Sequence, residues 1–147
     1  MNVIDARCSG VAVPAWLEGA KSFCARILAY LGIQNWEISL LFCGDELMTQ
    51  LNKSYRNIDD STDVLSFEQG EPVPVGDGLR RPAGDIVICL DNLRKQAAQF
   101  NIAQEDELKQ LVIHGVLHLR GMDHVSNNDM IRLQEEIFVA LKEEIIF

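Results

Sequence analysis

The chain has 147 residues, 48% of them hydrophobic, and a formal net charge of −9 at pH 7. This composition excludes intrinsic disorder and collagen-like repeats and predicts one domain over residues 1–147, large enough to bury roughly two thirds of its unfolded surface. The excess of 22 acidic over 13 basic side chains argues against a broad, nonspecific grip on nucleic acid, because like charges repel.

In chain order, residues 2–7 read as a short strand. Pro14 suits the first turn of a helix. From there Trp16, Leu17, Ala20, Phe23, Cys24, Ile27, Leu28 and Leu31 recur at helical spacing, and Gly32 stops the run. Trp36 to Cys43 is rich in strand formers. Asp45 is expected to cap a helix carrying Leu47, Met48, Leu51 and Tyr55. Asp63 to Phe67 reads as a strand, residues 69–82 as a long Gly- and Pro-rich loop, and Ile86 to Leu90 as a buried strand. Asp91 is expected to cap a helix to about Phe100, followed by helices over about 104–120 and 127–146. Four strands and five helices in mixed order predict a layered α/β (α+β) domain, a small mixed four-stranded sheet packed with helices.

Cys8, Cys24, Cys43 and Cys89 form no CxxC pair and match no zinc ribbon, so they read as reduced thiols, mostly buried. The N-terminus has no signal-peptide pattern, and no apolar run approaches the ~20 residues that span a bilayer. A cytoplasmic protein is expected.

All three histidines lie in the segment His114-Gly-Val-Leu-His118-Leu-Arg-Gly121-Met-Asp-His124. Residues four apart on a helix share a face, so His114 and His118 can reach one ion. Gly121 permits a left-handed turn that returns the chain and aims His124 at the same point. Three imidazoles suit one Zn²⁺, with Ni²⁺ or Cu²⁺ also chemically possible, and leave a fourth position open. The spacing equals that of the metzincin proteases, whose general base is a Glu after the first His; here that position is Gly115, which argues against peptidase chemistry.

The histidine segment resembles the signature of the YbeY family of metal-dependent single-strand endoribonucleases. Two further blocks agree in order: Leu51-Asn-Lys-Ser-Tyr-Arg56-Asn-Ile-Asp-Asp-Ser-Thr62-Asp63-Val-Leu-Ser66-Phe67, and Gly84-Asp85-Ile86. The resemblance implies a fold like a pared-down metzincin. It also implies cytoplasmic cleavage of RNA, with maturation of the 3′ end of 16S ribosomal RNA and ribosome quality control. The implied partners are ribosomal RNA and the small ribosomal subunit, not DNA or a membrane. The family's metal ligands fall on His114, His118 and His124, and its functional arginine on Arg56. Met122 stands where the family commonly has an aromatic residue, a departure that bears on local packing only.

RNA cleavage needs an activated nucleophile, a stabilised phosphorane and a protonated leaving oxygen. The metal can lower the pKa of a water toward ~7, or polarise a phosphoryl oxygen and leave the attack to the ribose 2′-OH. The catalytic roles fall on Arg56 and His114. Arg56 is the candidate phosphate clamp, since a guanidinium matches phosphate oxygens at any working pH; the alternative is a helix-end arginine facing carbonyl dipoles. Asp123 is a candidate carboxylate for orienting a ligand imidazole, or a base, or simply a turn residue. Thr62, Asp63 and Ser66 are placed to flank the metal, with Ser66 a candidate for binding substrate, or to serve as turn and strand residues. Asp85 reads as a structural strand-start residue rather than a catalytic base. Arg80-Arg81 and Arg94-Lys95 line an RNA path or are solvated pairs, and the last helix reads as amphipathic with an acidic face. Two other functions compete: a hydrolase of another substrate class on the same metal scaffold, and a non-catalytic ribosome-associated factor with a structural metal.

Overall fold

Trp36, Ile38, Leu40 and Phe42 alternate with more exposed residues along strand β2 (Trp36–Cys43), so one face of this strand is buried throughout. The computed structural model describes residues 1–71, 73–75, 78–122 and 128–147. Around β2 lie β1 (Val3–Ser9), α1 (Leu17–Tyr30), α2 (Asp45–Arg56), β3 (Val64–Glu68), β4 (Val73–Val75), β5 (Gly78–Cys89), α3 (Leu90–Gln99), α4 (Gln104–Leu119) and α5 (Asn128–Leu141).

The sheet runs β1-β2-β5-β3. β1, β2 and β5 are parallel, while β3 lies antiparallel to β5 at the edge. Each parallel step is bridged by helix-containing chain, as parallel neighbours require. Ile86 and Ile88 of β5 join Leu40 and Phe42 in the main core under α1 and α4. On the opposite face, Val87, Cys89, Cys43 and Leu65 form a smaller cluster with Met48 of α2. Helix α4 is enclosed on most sides, burying Leu108, Leu111, Val112, Ile113, Val116, Leu117 and Leu119. Even its Lys109 is only 2% exposed. The Lys109 ammonium donates to the carbonyl of Lys142 at 2.7 Å, just past α5, which satisfies both groups and ties the two helices together.

Four expectations change. Among the described residues the sheet has five strands rather than four: the segment read as the 69–82 loop contains β4 and the first five residues of β5. Pro74 is tolerated there because β4 pairs with β5 alone. Asp85 consequently lies well inside β5, not at its start. The third change concerns capping. Gly44 and Cys89 occupy the cap positions of α2 and α3, so neither Asp45 nor Asp91 caps its own helix. Instead Asp91 reaches across and its Oδ2 accepts from the Asp45 N–H at 2.9 Å. The last helix also stops at Leu141, short of the expected 146.

Candidate active site

The C-terminal half of α4 carries His114 and His118 on one face, and both are only partly buried. Their Nε2 atoms meet at 3.0 Å, with ring centroids 4.5 Å apart and planes inclined at 71°. Nδ1 of His114 lies 2.9 Å from Oε1 of Gln134 on α5. That amide oxygen only accepts, so Nδ1 is the donor of this bond, and in a neutral imidazole Nε2 is then the nitrogen that carries the lone pair. Gln134 is itself oriented, because its Nε2 donates to Gln110 Oε1 at 3.0 Å. The arrangement fits a metal: two nitrogens held tetrahedrally by one zinc at about 2.0–2.1 Å stand roughly 3.3 Å apart, close to the observed separation.

Helix α4 ends as its sequence predicts. Gly121 has φ +95°, its N–H donates to His118 O at 2.9 Å, and the Met122 N–H donates to Leu117 O at 3.0 Å. This paired pattern is the Schellman closure, which favours the left-handed glycine. His124 and Asp123 lie outside the described residues.

A cavity of about 440 Å³ opens beside the two histidines, lined also by Arg56, Thr62, Asp63, Val64, Leu65 and Ser66. Arg56 reaches it from the last residue of α2, and the others from β3 and the turn before it. Arg56 is also one of the two basic residues in the last turn of α2, so the helix-end reading stands beside its place on the cavity wall. Ser66 lines the cavity, and its hydroxyl donates to Gly115 O at 3.2 Å, stitching the edge strand to α4. Asp63 Oδ1 accepts from the Val64 N–H at 2.8 Å and from Thr62 Oγ1 at 3.4 Å.

Gly115 itself is fixed by packing. A Cβ there would stand 2.6 Å from Ile86 Cγ2, so a side chain at this position collides with the middle of the sheet. The protease base is therefore excluded by shape as well as by sequence.

Sequence reasoning missed Gln110, Gln134 and Glu107. Glu107, Gln110 and His114 line a second, adjoining cavity of about 280 Å³ with Asp63 and Gln134. Burial, then the charge of Asp63, pushes the Glu107 carboxyl above its ordinary value. Extending the 114/118 stripe back along the helix would have found Gln110 and Glu107; Gln134 carries no local signal.

A separate group, Asp45, Cys89 and Asp91, brings three possible metal-ligand atoms within 4.8 Å of one another. Hydrogen bonds already engage it. Asp45 Oδ1 accepts from Ser61 Oγ at 2.8 Å and from Cys89 Sγ at 3.4 Å, and Asp91 Oδ2 accepts the α2 N–H described above. The Ser61 hydroxyl, aided by Cys89 and Lys95 and opposed by burial, holds the Asp45 carboxyl below its ordinary value. Burial, with the neighbouring Cys89, Asp91 and Asp45, pushes the Cys43 thiol up to about 12. All four cysteines are free thiols.

The other basic pairs are occupied locally. Arg80 pairs with Glu37 at 3.5 Å, Arg81 lies over the Trp36 ring, Arg94 pairs with Asp91 and Lys95 with Asp45. None of them lines the histidine cavity. Among the described residues no helix is long and apolar enough to cross a membrane.

The family model described as Endoribonuclease YbeY matches residues 5–142. Curated relatives carry the same name. One from Treponema denticola is 47% identical over 131 residues, covering 86% of this chain and 84% of the relative. One from Treponema pallidum is 39% identical over 141 residues, covering 93% and 88%. A solution structure of a Thermotoga maritima protein superposes with a TM-score of 0.67 at 27% identity, covering 97% of this chain and 91% of that one. The chain belongs to the endoribonuclease YbeY family.

Proposed function

We propose that this chain is a zinc-dependent endoribonuclease of single-stranded RNA. On this reading residues 1–147 form one cytoplasmic domain. It acts at the 3′ end of 16S ribosomal RNA, in association with the small ribosomal subunit, and contributes to ribosome quality control. The observation that carries the reading is the convergence of His114 and His118 Nε2 at 3.0 Å on the wall of a cavity that also holds Arg56.

His114, His118 and His124 would hold one zinc ion, with nickel as an alternative. When bound, the ion supplies Lewis-acid chemistry at a phosphoryl oxygen. Arg56 clamps the scissile phosphate through its planar donors. Gln134, oriented by Gln110, keeps the His114 proton on Nδ1 and its Nε2 directed to the ion. Ser66 holds the β3 edge against α4 and offers its hydroxyl oxygen to the substrate. Asp123 is proposed to orient a ligand imidazole.

The acidic surface fits this picture. A cation and one arginine hold a phosphate locally, while a net charge of −9 suppresses wider contact with RNA. Purified protein incubated with single-stranded RNA and with casein tests the reading. RNA cleavage that Arg56→Ala abolishes, with casein intact, supports it; proteolysis without RNA cleavage overturns it.

A further inference from the structure

A cavity of about 690 Å³ lies on the sheet face opposite α4 and outside the histidine site. Its floor is Leu41, Leu51 and Val87, and Tyr55 and Phe67 stand at its side with ring centroids 4.7 Å apart. Tyr55 is 67% exposed, which leaves part of its ring open to a ligand. Polar groups complete the lining: Arg7, Ser39, Glu68 and Asp85. One Asp85 oxygen accepts from Gln69 Nε2 at 2.9 Å, and a carboxylate retains further acceptor capacity beyond that bond.

From this geometry we infer that the cavity is a subsite for one unpaired nucleobase of the RNA strand whose phosphate is cut at the histidines. The inference rests on the proposed RNA reaction. Two features of the fold support it. The two cavities share a wall at adjacent residues: Arg56 and Ser66 line the histidine cavity, and their neighbours Tyr55 and Phe67 line the other. Successive strand residues point to opposite faces, and β3 is an edge strand, so a chain passing around this edge contacts both cavities. The electrostatics separate the roles. Two carboxylates against one guanidinium disfavour a phosphate in the larger cavity, whereas they accept from the N–H groups on a base edge. An exposed tyrosine ring offers the stacking surface that single-stranded bases use.

The test is an NMR titration of the full chain with guanosine, which carries a base and no phosphate, and with ribose 5-phosphate, which carries no base. Guanosine is expected to shift the amides of Ser39, Tyr55, Phe67 and Asp85, and ribose 5-phosphate to leave them unmoved. Tyr55→Ala should weaken guanosine binding roughly tenfold, the scale of one lost base stack, while Tyr55→Phe keeps it. No guanosine shift at these residues, or equal affinity in Tyr55→Ala, overturns the subsite. RNA cleavage is a separate readout. Cleavage without guanosine binding removes the subsite and leaves the reaction standing; guanosine binding without cleavage overturns the reaction and the assignment of the cavity to a cleaved strand, leaving only a nucleobase-binding cavity.

Discussion

Gln134 on α5 and His114 on α4 meet at 2.9 Å, amide oxygen to Nδ1, and this one bond decides which nitrogen of His114 faces His118. Twenty residues separate the two in sequence, so α5 sets the chemistry of a side chain on α4.

Gln134→Ala is therefore expected to weaken zinc binding about 10–100-fold, the usual cost of removing an outer hydrogen-bond partner of a ligand histidine. Competition with a chromogenic chelator measures it. Gln134→Glu retains an acceptor oxygen and should restore most of the affinity. Equal zinc affinity in all three proteins would show that the amide plays no part in holding the imidazole.

Gly115→Ala should destabilise the chain by about 1–3 kcal/mol, since its Cβ would meet Ile86 Cγ2 at 2.6 Å in a packed interior. Denaturant unfolding reads the change. A neutral result would mean that α4 can lift from the sheet at no cost. Glu at the same position should give a poorly folded protein and no peptidase.

Glu107 gives a pH signature. Its folded pKa is raised by burial and by Asp63, so between the ordinary glutamate value and the raised one the folded chain binds more protons than the unfolded chain. Stability therefore falls as pH rises through that window. Glu107→Gln should remove this slope and raise the neutral-pH unfolding temperature. Thermal unfolding of both proteins across the acidic range checks the sign; parallel curves would contradict it.

Much of the fold was legible because its signals are local. The alternation in Trp36–Cys43, the helical run ending at Gly32 and the 114/118 pair before Gly121 each depend on neighbours within a few residues. What was not legible depends on distant partners. Pro74 disguised β4, since a proline is acceptable in a strand only when one side is unpaired, and sequence does not state that. Asp91 looked like the cap of its own helix and serves the one 46 residues earlier. Arg56 and Ser66 stand out by their motif, yet their approach to the histidines depends on where the end of α2 and the edge strand β3 lie beside α4. The bond that commits the Ser66 hydroxyl to Gly115 spans 49 residues. Gln134 had no motif at all.

The central claim is that the histidines hold a metal that RNA cleavage requires, with Arg56 acting on the substrate rather than on the ion. The most direct measurement is RNA cleavage by metal-depleted protein as zinc is titrated back, with bound zinc counted alongside. Wild type should regain cleavage in step with binding and saturate at one zinc per chain. His118→Ala should neither bind tightly nor cleave, and Arg56→Ala should bind one zinc and remain inactive. Cleavage that is unchanged by metal depletion, or that survives in His118→Ala, would contradict the account.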